Sequence, residues 1–174
     1  MARIEPRYRG IRSSGKPIKM VDHAQGWQGP NRPTVTRDTC LVASSNLDLV
    51  RSILKAWGEG DVETALREHV QPSARLDLSE LTFNAAVYEG YEEIARQRRE
   101  VNDVWETFEV EVEQLVEGEH AVVAFTHERG RGVSGVDVDR RSAFLFRLAD
   151  GKVSEVRLYL DRDRALADLG LAPD

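Results

Sequence analysis

From Trp105 to Leu160 apolar residues recur at every second position, whereas from Asn46 to Asp103 they mostly recur at every third or fourth. That single change of period constrains the fold more than any other feature of the chain. Phe108, Val110 and Val112 alternate with Glu109, Glu111 and Glu113, the pattern of a strand with one buried and one acidic face. Gly118 marks a turn, and His120–Glu128 reads as the next strand. Its run Ala121–Phe125 is apolar on both faces, as a central strand requires. Gly130, Gly132 and Gly135 read as a glycine-rich connection. Ser142–Leu148 and Val153–Leu160 read as two strands joined by Asp150-Gly151, a two-residue hairpin signal.

The part before this meander reads as helical. Ser45 is placed to cap a helix over Asn46–Trp57, with Leu47, Val50, Leu54 and Trp57 on one side and Gly58 and Gly60 as its stop. Asp61 caps a short second helix carrying Val62, Leu66 and Val70, closed by Pro72. Ala74–Leu78 reads as a strand whose Leu76 and Leu78 oppose Arg75 and Asp77. After Tyr88 and Gly90, Tyr91–Asp103 reads as a third helix with Ile94, Ala95, Arg98 and Val101 on one side, and Asp161–Leu169 as a terminal helical turn. Helices followed by an antiparallel meander predict an α+β fold, with helices covering one face of a curved sheet.

The 174 residues suffice for one domain. Formal net charge is −6, unevenly placed: residues 1–44 carry +5 and the remainder −11. The basic segment also holds Pro6, Gly10, Gly15, Pro17, Gly26, Gly29, Pro30 and Pro33 and has no sustained apolar period, so 1–44 is expected to be a disordered or loosely docked tail ahead of a domain over 45–174. An acidic domain repels phosphate, so nucleic acid is not an expected partner. No run of about 18 apolar residues exists, so no membrane partner is expected. Cys40 is the single cysteine, and no apolar leader follows the start, so a reducing cytoplasm is the expected compartment. No His/carboxylate pair has helical metal-ligand spacing and no phosphate-cradling or dinucleotide loop is present, so no metal and no cofactor is expected.

Trp57-x-x-Gly60-Asp61, Tyr88-x-Gly90, Phe108-x-Val110-x-Val112, the glycine-rich hairpin, Asp150-Gly151-Lys152-Val153 and the ending Val156-Arg157-Leu158-Tyr159-Leu160-Asp161 follow one another in that order. The ordered set resembles the SnoaL-like branch of the nuclear transport factor 2-like (ketosteroid isomerase-like) superfamily over Asn46–Leu171. The resemblance implies a cone: a curved, mixed, mostly antiparallel sheet wrapped around about three N-terminal helices, with a central pocket, an apolar ligand and homodimers through the outer sheet face. An isomerase-like site in this family uses a tyrosine, a carboxylate base and a protonated aspartate. Those positions fall near Ile53, Leu78 and Phe144, and the acidic position of cyclase-like relatives falls near Leu158; all are apolar here.

His127 alternates with Phe125 and Val123 and could exchange protons near neutral pH if it faces inward. Asp77 is a base if its face points in and an exposed strand carboxylate if it does not. Tyr88 could donate a hydrogen bond to a ligand. Trp57, Trp105, Leu78, Phe144 and Leu158 are the expected pocket lining. Arg157 and Tyr159 share one parity and belong either to a dimer surface or to the pocket, while Asp161 reads as the cap of the last helix. The expectation is a SnoaL-like small-molecule-binding domain acting as a cofactor-free isomerase, polyketide-cyclase-like cyclase, hydratase or dehydratase by proton transfer. The alternative is a non-catalytic apolar-ligand-binding or dimerisation module of the same fold.

Overall fold

The computed structural model describes residues 3–5, 8–10, 21–22, 46–59, 61–81 and 85–171. Three short strands come first: β1 (Arg3–Glu5), β2 (Tyr8–Gly10) and β3 (Val21–Asp22). Helices α1 (Asn46–Glu59) and α2 (Val62–His69) follow, then β4 (Val70–Asp77), β5 (Val87–Glu89) and α3 (Tyr91–Val104). The meander is β6 (Trp105–Glu117), β7 (Ala121–Gly132), β8 (Asp137–Ala149) and β9 (Lys152–Tyr159), and α4 (Arg162–Asp168) closes the chain. The strands form one sheet in the order β3-β2-β6-β7-β8-β9-β4-β5, with β1 also on β6. Every pairing is antiparallel except β4 with β9. Register shifts within β6, within β4 and near Arg147–Leu148 bend the strands, and the sheet curves around α1, α2 and α3.

The expected elements are present with moved ends. α1 runs through Gly58 to Glu59, while its expected cap Ser45 lies outside the described residues. Asp61 caps α2 by accepting from the Thr64 amide at 3.4 Å. Pro72 does not close that helix; it lies inside β4, which follows α2 directly. Gly130 and Gly132 belong to β7 and only Gly135 sits in the turn, so β7 and β8 are longer than their apolar cores announce. The expected hairpin at Asp150-Gly151 is formed, with φ of 54° and 73°, which suits the Asp-Gly pair. Of the basic segment 1–44, the described residues are β1, β2 and β3, lying along the border of β6; the rest of it lies outside the described residues. Among the described residues no helix is long and apolar enough to cross a membrane.

The sheet is buried on both sides. Val122, Ala124, Leu115, Phe146, Val156 and Leu158 pack against Ile53, Leu66 and Ile94 of the first three helices. Val123, Phe125, Ala143, Leu145 and Tyr159 pack on the opposite side against Ala165, Leu166 and Leu169 of the α4 region. All eight residues from Ala121 to Glu128 are therefore buried, which explains the two-faced apolar run.

Candidate functional site

The division of cores fixes the parity of every strand. On β7, Val122, Ala124, Thr126 and Glu128 face α1–α3, whereas Val123, Phe125 and His127 face the α4 side. His127 is 8% exposed, with Nε2 2.6 Å from Asp139 Oδ1 and Nδ1 2.8 Å from Arg129 Nη2. A guanidinium only donates, so Nδ1 accepts and Nε2 carries the proton that it gives to Asp139. Both ring nitrogens are thus engaged by the protein on the outer side of the sheet. That hydrogen bond, with the charge of Arg129 and Arg141, holds the Asp139 carboxyl below the usual carboxylate range.

Asp77 is also on the outer side. It pairs in register with Arg157, is 4% exposed, and lies 3.2 Å from Arg75 Nη2 and 3.8 Å from Arg157 Nε, while its Oδ1 accepts from the Ser79 amide at 3.0 Å. Burial alone would raise its pKa. The Ser79 hydrogen bonds and the two arginines outweigh that and hold it ionised, below its ordinary value. Arg157 lies over the Tyr159 ring, and the Tyr159 hydroxyl donates to Asp168 of α4. Arg157 and Tyr159 are therefore outer-side residues. Asp161 caps α4, accepting from the amides of Asp163 and Arg164.

Tyr88 takes the helix-facing side. It pairs with Leu76 and packs, half-buried, on the core beneath α1–α3, and its hydroxyl has no hydrogen bond to a described residue. Leu78 and Leu158 are buried in that same core, and Trp57 and Phe144 pack against it. Trp105 stacks on Phe108 at 5.0 Å, and the two rings cover Gly130, where a Cβ would come within 2.6 Å of Phe108 and 3.1 Å of Trp105. Glycine is required there so that the two rings can approach the strand this closely. The structure thus gathers Trp57, Leu78, Phe144, Leu158 and Tyr88 on one side and sends His127 and Asp77 to the other.

The helix-facing side also holds a polar cluster that the pattern of the sequence did not single out. Glu128 is 1% exposed; its Oε2 accepts from Arg140 Nε at 2.6 Å and from Arg140 Nη2, and its Oε1 accepts from Ser142 Oγ at 2.6 Å. Ser142 Oγ has given its only proton to Glu128, so Thr126 Oγ1, 2.9 Å away, donates to it. Arg98 of α3 sets its guanidinium 5.0 Å above the Trp57 ring, and Trp57 stands 6.1 Å from Phe146. Burial pulls the Arg98 pKa down, and the charge of Glu128 opposes this, so the two groups sense one another. Arg98 Nε and Trp57 Nε1 are both shut off from water without a hydrogen-bond partner among the described residues.

Along β7 and β8 this side therefore grades from polar (Glu128, Arg140, Thr126, Ser142) to apolar (Ala124, Phe144, Val122, Phe146), with Arg98 and Trp57 above it. One signal for the cluster was present in the sequence: Arg98 shares the inward stripe of its helix with Ile94 and Val101. The other, Glu128, becomes visible only once the inner face of β7 is known. Among the described residues no group of three or more His, Cys, Asp or Glu stands together as a metal site.

Residues 50–156, more than half of the chain, match the sequence pattern of the SnoaL-like domain. Among curated protein sequences none matches the chain. Among solved structures, the chain is similar to a protein from Jannaschia sp. assigned as a SnoaL-like polyketide cyclase, with a TM-score of 0.59 and 22% identity over 79% of this chain and 100% of that one. It is also similar to a protein of ketosteroid isomerase-like fold from Catenulispora acidiphila in complex with trimethylamine, with a TM-score of 0.56 and 18% identity over 71% and 93% of the two chains. TerC, co-crystallised with polyporic acid, gives a TM-score of 0.57 and 16% identity over 71% and 96%. At these identities the structural likeness is one of fold. Together with the curved sheet, the helices inside it and the sequence match, it places this chain in the SnoaL-like domain family.

Proposed function

We propose that the helix-facing side of the sheet binds a small organic molecule, with its apolar body against Trp57 and Phe144 and its polar end toward the cluster around Arg98 and Arg140. The observation that carries this reading is the cluster of buried Glu128, Ser142 and Thr126 with half-buried Arg140 at one end of an otherwise apolar face. Buried polar groups are costly, and a few of them converging on an apolar wall is the usual make-up of a ligand site. Two proteins of similar fold hold small organic molecules, trimethylamine and polyporic acid, which supports the reading. The binding reading stands ahead of the catalytic one because His127 and Asp77 face away and both Glu128 oxygens are occupied. Native mass spectrometry of the purified protein tests it: a co-purifying small molecule that is lost from Phe144→Trp, which fills the apolar end, is the expected result.

A second reading is cofactor-free proton-transfer catalysis: isomerisation, cyclisation, hydration or dehydration. Tyr88 favours it, because its hydroxyl is on the helix-facing side without a protein hydrogen bond among the described residues. Under this reading Tyr88→Phe lowers turnover by about 10²-fold or more. Turnover that falls in His127→Ala instead would return the chemistry to the outer side. The wider reading also makes the chain a cytoplasmic homodimer joined through the later strands of the outer face, without nucleic acid. Exclusively monomeric sedimentation at micromolar concentration would remove the dimer.

A further inference from the structure

We infer that the ligand of this site is an anion, its acidic oxygens received by the Arg98 guanidinium and the Trp57 indole N–H. The inference rests on the binding reading above and adds the charge class of what is bound.

The cluster holds two guanidinium groups, Arg98 and Arg140, and one carboxylate, Glu128. That carboxylate is used up. Arg140 occupies Oε2 through two nitrogens, and Ser142 occupies Oε1 with Thr126 behind it. Arg98 is left without a hydrogen bond or ion pair to any described residue, its only close partner being the face of Trp57. An aromatic face attracts a cation but accepts none of its five N–H donors. The Arg98 Nε donor, sealed from water, stays unsatisfied until an acceptor enters, and a guanidinium favours an anionic one.

Two features give the anion its shape. Arg98 offers a planar fork matched to a carboxylate or to an enolate with a neighbouring oxygen, and Trp57 Nε1 adds a second sealed donor beside it. Trp57 stands over Phe146, and Phe144 packs on the same apolar core, so the remainder of the molecule is apolar and flat enough to lie along Trp57 and Phe144. A small aromatic or unsaturated organic acid meets these demands; a neutral molecule of the same shape leaves Arg98 as it was.

The test is calorimetric titration with benzoate, 2-naphthoate and anthracene-9-carboxylate, each beside its neutral carboxamide. At least one acid should bind tenfold or more tightly than its amide. Arg98→Met should cut that acid's affinity at least tenfold and change the amide's less than twofold, while Arg98→Lys, which keeps the charge and loses the fork, falls between them. The ligand-free Arg98→Met protein should melt at a higher temperature than the wild type, because a sealed donor without a partner has been removed. A lower melting temperature without ligand, or acid and amide bound alike, overturns the anion inference and leaves the binding reading in place. If no probe of any size binds and nothing co-purifies, both fall together.

Discussion

His127 and Glu128 are consecutive in β7 and clamp opposite sides of the sheet, each to one of two consecutive residues of β8: His127 to Asp139 at 2.6 Å on the α4 side, Glu128 to Arg140 at 2.6 Å beneath the helices. A strand alternates its side chains, so one step along the chain separates a residue that can meet a ligand inside the curve from one that cannot. Glu128, and not its histidine neighbour, is the ionisable group of β7 that shares the interior with Trp57 and Arg98.

Removing Glu128 strands Arg140 and the two hydroxyls. Glu128→Ala should cost about 3 kcal/mol, the lower end for breaking a buried pair, since Arg140 keeps 34% of its side chain in water. Replacing both partners by leucine should recover most of that loss, because a well-packed apolar pair replaces an ion pair at little net cost. Urea unfolding of the wild type, the single and the double variant measures both effects.

Phe146 is 0% exposed and, among the described residues, is the largest side chain sealed between sheet and helices. Phe146→Ala should lose about 3–5 kcal/mol through transfer and cavity terms. A loss under about 1 kcal/mol, as for surface substitutions, would contradict the assignment of faces on β8.

Acid should weaken the outer side of the sheet first. Burial works against ionisation of Asp77 and Glu113, but hydrogen bonds and arginines outweigh it, from Ser79, Arg75 and Arg157 for the one and from Arg141 and Arg162 for the other, so both folded pKa values are lowered. Their contribution is present above the ordinary carboxylate pKa of about 4 and is lost as pH falls through the lower folded values. Stability followed by thermal melts from pH 7 downward should drop in that range, and Asp77→Asn should make the drop shallower.

Tyr159 reports on the alkaline side. Burial first, then its hydrogen bond to Asp168, raises its pKa to about 12. The unfolded tyrosine ionises near 10, so the stabilisation is complete below pH of about 10 and disappears as pH rises through the folded value. Ultraviolet titration should show one late tyrosine, absent from Tyr159→Phe, whose melting temperature should depend less on pH above 10.

Much of the architecture could be read from spacing alone. The period change at Trp105, the Asp61 and Asp161 caps and the Asp150-Gly151 turn each follow from local chemistry, and each is present. Leu76 and Leu78 against Arg75 and Asp77 gave the faces of β4, because only one side of that strand end is apolar. β7 was different. Its residues are apolar on both sides from Ala121 to Phe125 because α4 covers the outer side, so alternation carried no information about His127. The interior cluster stayed hidden for a related reason: Glu128 and Arg140 lie 12 apart in sequence, within strands whose charged ends resemble solvated ones.

The borders of the sheet have their own bearing on how these molecules meet. One border is β5, three residues long; at the other, β1 lies against Leu115–Glu117 and β2 against Val110–Val112 of the 13-residue β6, with β3 outside. A strand of two or three residues gives a visiting chain almost no ladder to extend, so strand addition from a second molecule is blunted at β5 and where β1 and β2 lie along β6. A version of the protein beginning after Asp22 would bare the longest border in the molecule, and its altered behaviour would show in contacts between chains before it showed in the folding of any one of them.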